Sequence, residues 1–153
     1  MVYSSQKQAG LRPADGRKDD FVKMKKDNGQ ISLPAGEWRV MECLWEQYPR
    51  TLMEIVRALS PATGWSKSTI VTMVGRLENK GAVTYTEEGR ARQYSPAISR
   101  DQAALQETES LLRRVYRGSV GMMVNTLADG RGLTDEDIAE LSAVLEKARR
   151  ERQ

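Results

Sequence analysis

The sequence predicts a mainly α protein with one small β-hairpin, organised as a structured head followed by an all-helical tail. Three observations predict it. Apolar residues return at helical spacing in successive segments, most of them opened by a Ser, Thr or Pro suited to a helix start. One stretch, AVTYTEEGRARQYSP, reads as two short strands around a glycine. The first 30 residues, by contrast, are rich in Gly, Pro, Asp, Lys and Ser and show no apolar period.

Each element follows in order. Residues 1–30 read as a disordered basic arm, with seven Lys/Arg against four Asp/Glu. Such an arm is either a solvated tail or an extra contact to phosphates. Residues 31–96 form the head. Pro34 opens a helix whose apolar face carries Val40, Met41, Leu44, Trp45 and Tyr48. Thr51, with Glu54 three residues on, has the pattern of a capping box for a second helix that turns Leu52, Ile55, Val56 and Leu59 inward. Ser60-Pro61-Ala62-Thr63-Gly64 reads as a turn. Ser66 caps a third helix, which Gly81 ends. Strands at Ala82–Thr86 and Arg92–Ser95 complete the hairpin. Three helices followed by a hairpin make the winged form of the helix-turn-helix.

Residues 97–150 form the tail. Ser99 starts a helix with Leu105, Leu112, Val115 and Tyr116 on its inward face, interrupted at Gly118-Ser119. Val120, Met123, Val124 and Leu127 continue a second segment, ended by Asp129-Gly130. Thr134 caps a third, with Ile138, Leu141, Val144 and Leu145 in one stripe. Three amphipathic helices with so few aromatic residues need a partner surface, and a second copy of the same segment is the simplest one. The sequence therefore predicts a homodimer joined by this tail.

Composition removes several classes of function. The chain has 153 residues, no histidine and one cysteine, Cys43. Intrachain disulfides, Cys/His zinc sites within one chain and histidine-based triads are excluded. No Gly-rich phosphate loop occurs, so neither an enzyme nor a cofactor is expected. Asp135-Glu136-Asp137 lies in the first turn of a helix, where negative charge suits the dipole. No run approaches a membrane span, and no secretory signal is visible, so a cytoplasmic protein without membrane contact is expected. Cys43 borders the first helix's apolar stripe and reads as a small core residue.

The third helix carries the functional signal. On a wheel of 100° per residue, Ile70, Val74 and Leu77 cluster, with Met73 at their edge. Ser68, Thr72, Gly75 and Asn79 lie opposite, flanked by Thr69 and Arg76. A solvated helix face usually carries Glu and Lys; this one holds short hydroxyls, a gap and a guanidinium. Small side chains permit close approach to a major groove, threonine methyls can meet thymine methyls, and Arg matches guanine or phosphate. Free N–H groups near Ser66, Lys67 and Thr69 suit a phosphate. At the hairpin tip, Arg90 and Arg92 stand on alternate residues and are expected to point the same way, towards the flanking DNA backbone or minor groove; the other reading is that Arg92 pairs with Glu87 or Glu88. An alternative use of the same fold, a protein-interaction module without operator-specific DNA binding, would call for large apolar residues on the helix's outer face.

The segments EWRVMECLW at 37–45, TLMEIVRAL at 51–59, WSKSTIVTMVGRLENKGAV at 65–83 and GRARQYSP at 89–96 resemble the penicillinase-repressor (BlaI/MecI/CopY) family, as do VYRGSVGMMVNTLADG at 115–130 and LTDEDIAELSAVLEK at 133–147. The resemblance covers about residues 33–147. It implies a homodimeric repressor whose winged heads bind a palindromic double-stranded DNA operator. It places Thr69 and Thr72 against bases, Lys67, Ser68 and Arg76 near the backbone, and Arg90 and Arg92 in the wing. One branch of the family is released by a sensor-controlled protease that cuts between Asn and Phe; the matching pair here is Asn125-Thr126, with Phe replaced. Another branch senses copper through paired C-terminal cysteines, which this tail lacks.

Overall fold

A computed structural model describes residues 31–153. The basic arm expected at residues 1–30 lies outside the described residues. The elements are α1 (Ala35–Glu46), α2 (Leu52–Thr63), α3 (Lys67–Asn79), β1 (Val83–Glu88), β2 (Ala91–Pro96), α4 (Arg100–Tyr116), α5 (Val120–Gly130) and α6 (Asp135–Glu151). The chain falls into two compact units, divided between Thr108 and Glu109.

In the first unit, α1 is the central beam. Its Val40, Met41, Leu44 and Trp45 are fully buried, together with Ile55 of α2 and Ile70 and Leu77 of α3. The indole N–H of Trp45 donates to the Ile98 carbonyl at 2.9 Å, so the largest core side chain also satisfies its only polar group. Cys43 is buried in the same cluster, and burial pushes its thiol pKa up, as expected of a small core residue. Tyr48 does not extend the α1 face. The helix stops at Glu46 and Gln47 is already extended.

α2 and α3 have side-chain caps. Thr51 Oγ1 accepts the Glu54 N–H at 3.2 Å, and Ser66 Oγ accepts the Thr69 N–H at 3.2 Å. The turn expected at 60–64 is instead the end of α2, which runs through Pro61 to Thr63. A proline this near a helix end forgoes a single backbone bond. The last turn is held by Thr63 Oγ1 donating to the Leu59 carbonyl at 2.8 Å and by Ser60 Oγ donating to the Trp65 carbonyl at 2.9 Å. Gly64, at φ 71°, takes the left-handed conformation that ends it. α3 ends in a Schellman motif: Ala82 N–H donates to the Leu77 carbonyl at 2.9 Å, Gly81 N–H to the Glu78 carbonyl at 3.0 Å, and Gly81 has φ 77°.

β1 and β2 pair antiparallel, with Tyr85 opposite Tyr94 and Glu87 opposite Arg92. The two strands extend further towards the tip than the sequence indicated, leaving a two-residue connection, Gly89-Arg90. Gly89 has φ 71°, as the first position of a type II′ turn requires. On its other edge Tyr94 exchanges backbone bonds of 2.9 and 2.8 Å with Arg50, tying the hairpin to the start of α2.

The first turns of α4 belong to the head rather than the tail, past the boundary expected after residue 96. Ala103 is buried there, Gln106 Oε1 accepts the Ile31 N–H at 3.1 Å, and Glu107 Oε1 accepts the Leu33 N–H at 3.0 Å. Ile31 and Leu33 thereby join the core. Of the four residues expected on its inward face, Leu105 and Val115 are exposed.

In the second unit Ser119 caps α5, and Thr134 with Asp137 forms a reciprocal capping box for α6, with bonds of 3.0 and 3.1 Å. Hydrogen bonding from the Thr134 backbone N–H, and then from its side chain, holds the Asp137 carboxyl below its ordinary pKa. The cap is therefore charged at neutral pH, and its contribution is lost as pH falls through that depressed value. No described residue of α5 or α6 is buried.

Ile70→Ala should lower stability by about 2–5 kcal/mol, since it opens a cavity beneath α3; a urea midpoint matching the wild type would show that this contact is not part of the core.

Candidate nucleic-acid interface

The buried stripe of α3 dictates its exposed one. With Ile70, Val74 and Leu77 buried, Ser66, Lys67, Ser68, Thr69, Thr72, Arg76 and Asn79 are all exposed. The structure therefore brings the helix residues named from the sequence onto one accessible surface. Ser66 Oγ lies 3.0 Å from both Ser68 Oγ and Thr69 Oγ1, forming a hydroxyl cluster at the helix N-terminus. Thr72 Oγ1 donates to the Ser68 carbonyl at 3.0 Å, so its proton is committed to the helix while its methyl group and lone pairs can meet a partner. The first turn of α3 carries no acidic side chain. Hydroxyls, free N–H groups and positive charge on one surface suit phosphate and base edges.

Two features of this surface were not legible on the wheel. Val71, beside this face, is an apolar side chain left 43 % exposed. Gly75 has open space where a Cβ would stand and no left-handed φ, so neither packing nor backbone geometry within the chain calls for glycine there.

The wing differs from expectation in one respect. Arg90 lies in the turn, not on a strand, and is exposed at the tip. Arg92 lies on β2 directly opposite Glu87, with Nε 3.5 Å from Glu87 Oε1. The two arginines therefore do not project as an alternating pair; a two-residue turn consumes Arg90 before the strand begins. Hydrogen bonding to the Tyr94 side chain raises the Arg92 pKa further above its ordinary value.

In the second unit, Val115, Val120, Leu127, Ile138, Val144 and Leu145 are exposed, and Leu112, Tyr116, Met123, Val124 and Leu141 are half-buried. Leu111 and Met122 are exposed apolar residues that the helical stripes omitted. Asn125 and Thr126 are exposed within α5, and Thr126 Oγ1 donates to the Met122 carbonyl at 3.0 Å. Among the described residues, no group of acidic or cysteine side chains could hold a metal, and no helix is long and apolar enough to cross a membrane.

The model of the penicillinase repressor family matches residues 33–147. The chain belongs to the penicillinase repressor family. It is 33 % identical over 115 residues to the penicillinase repressor of Bacillus licheniformis, covering 75 % of this chain and 90 % of that protein. It is 24 % identical over 121 residues to the methicillin resistance regulatory protein MecI of Mammaliicoccus sciuri, covering 79 % of this chain and 98 % of that one. Among solved structures it is similar to the B. licheniformis BlaI monomer in complex with the blaP half-operator, at 33 % identity and TM-score 0.43, over 47 % of this chain and 88 % of that one. The family is one of transcriptional repressors rather than enzymes. Its match spans the head and most of the tail and leaves out residues 1–32.

Within this family fold, Gly75→Ala should raise stability by about 0.5–1 kcal/mol, because a helix interior with open space at the Cβ position favours alanine over glycine. Thermal and urea denaturation would read the gain; a loss would mean that the site is more crowded than the open space around it indicates.

Proposed function

We propose that this protein is a homodimeric, cytoplasmic transcriptional repressor that lays α3 in the major groove of a palindromic DNA operator and grips the flanking backbone with the wing. The observation that carries the reading is the exposed face of α3, a groove-sized surface of hydroxyls and one guanidinium held outward by a fully buried opposite stripe. Thr69 and Thr72 face base edges. Ser66, Lys67, Ser68 and Arg76 meet phosphates, and Arg90 reaches the backbone from the turn. Val71, next to this face, can meet a thymine methyl. Membership of a repressor family supports the same assignment.

Dimerisation is supported by the tail. α5 and α6 bury none of their apolar residues within one chain, although Leu145 is 66 % exposed and Val144 63 %. A second copy would cover them through the second unit, residues 109–153. Two heads also answer a problem of specificity. One good base contact discriminates by about 1–3 kcal/mol, which is too little for one head against a genome of competing sites. Two heads about one helical turn apart double the readout and match a palindrome. If a sensor-controlled protease releases this repressor, Asn125-Thr126 is the candidate bond. It lies inside α5, so the segment must unwind before a protease can cut it.

Arg76→Ala and Arg90→Ala should each weaken binding to every duplex and reduce the slope of log K against log salt by about 1. Slopes equal to the wild type's would show that these residues do not touch phosphate. Thr72→Ala should relax base preference at one operator position, as read by selection from random duplexes; an unaltered preference removes its base-reading role. Leu145→Asp, at a position that a monomer leaves exposed, should shift the protein to monomers in analytical ultracentrifugation. A persistent dimer would place the interface elsewhere.

A further inference from the structure

The hairpin carries a charged cluster that the operator reading leaves unused. Arg92 of β2 lies 3.5 Å from Glu87 of β1 and 3.9 Å from Glu78 of α3. Its guanidinium sits over the Tyr85 ring, 4.2 Å from the centroid. One side chain thus joins both strands of the wing to the DNA-facing helix. Val83, Tyr85 and Glu87 alternate onto one face of β1, and Arg92, Tyr94 and Pro96 onto the same face of β2. Val83, Tyr85, Tyr94 and Pro96 are buried, so Arg92 extends the row that faces the core rather than the row that faces away. The Glu78 side chain is 9 % exposed, which places its charge in the cleft between α3 and the wing.

That cleft lies between the two elements assigned to DNA, and carboxylates there would repel phosphates. We propose that Arg92 is a positioning residue that does not itself touch DNA: it offsets part of the negative charge of Glu78 and Glu87 and braces the wing against α3, leaving Arg90 to make the backbone contact. This inference rests on the operator reading above. A planar guanidinium suits the task, because it can serve two carboxylates and stack on an aromatic face at once. The Arg92–Glu87 pair is exposed and adds little to stability. The effect of Arg92 therefore falls on the field and wing geometry that the duplex meets.

The test uses the full chain and a duplex recovered by selection from a random-sequence pool with the wild-type protein, titrated over a range of salt concentrations. Arg92→Gln should weaken binding by about tenfold, because it removes the positive charge set against the Glu78 and Glu87 carboxylates beside the duplex. Adding Glu78→Gln and Glu87→Gln to Arg92→Gln should return the affinity to within about threefold of wild type, with the wild-type salt slope. Thermal melting checks that each variant is folded. The proposal is overturned if Arg92→Gln binds like the wild type. It is equally overturned if the triple variant stays weak with a slope lower by about 1, the signature of a lost phosphate contact. Failure of the operator reading itself looks different, since the wild-type chain would then enrich no duplex from the pool.

Discussion

Burial of one stripe of α3 governs the remainder of the head. Ile70, Val74 and Leu77 are buried in the cluster built on α1, and each such side chain gains on the order of 1.5–3 kcal/mol by leaving water. A helix pinned along one stripe has no rotational freedom left, so its opposite face is determined as well. The surface offered to DNA is thus a consequence of the core. Side chains that never touch a ligand set which hydroxyls and which guanidinium can.

The ends of α3 matter as much as its stripe. Ser66 caps the N-terminus through the Thr69 N–H, and the same hydroxyl joins the cluster with Ser68 and Thr69. One residue therefore stabilises the helix and shapes the end that suits a phosphate. At the other end Lys80 bonds the Ser32 carbonyl at 2.8 Å and forms an ion pair with the buried Glu37. That pair ties the C-terminus of α3 to the first turn of α1. The Schellman motif at Gly81 then reverses the chain directly into β1. The wing's attachment to α3 is therefore set within a few residues, and a brace such as Arg92 has only a short lever to hold.

The tail obeys a different logic. α5 and α6 have caps and amphipathic stripes but no buried residue, so local signals rather than tertiary packing specify them within one chain. Isolated helices of this length are marginal in water. Their apolar stripes become stabilising when covered, so in the proposed dimer assembly and tail stability are one property. A repressor built this way can couple operator release to anything that separates or cuts the tail.

Among the described residues, the sequence by itself determined each helix, the hairpin, the caps at Thr51, Ser66 and Thr134, and the outward face of α3. All of these rest on local periodicity and on groups within four residues of each other. Tertiary structure alone decided the rest. Pro61 stays helical because side-chain bonds from Ser60 and Thr63 hold the turn around it. Ile31 and Leu33 enter the core because Gln106 and Glu107, some 75 residues away, satisfy their N–H groups. Arg92 pairs with Glu87 rather than Glu88 because a two-residue turn sets the strand register that opposes them. In each case the deciding partner is distant in sequence or depends on register, and neither is visible to a local reading of the chain.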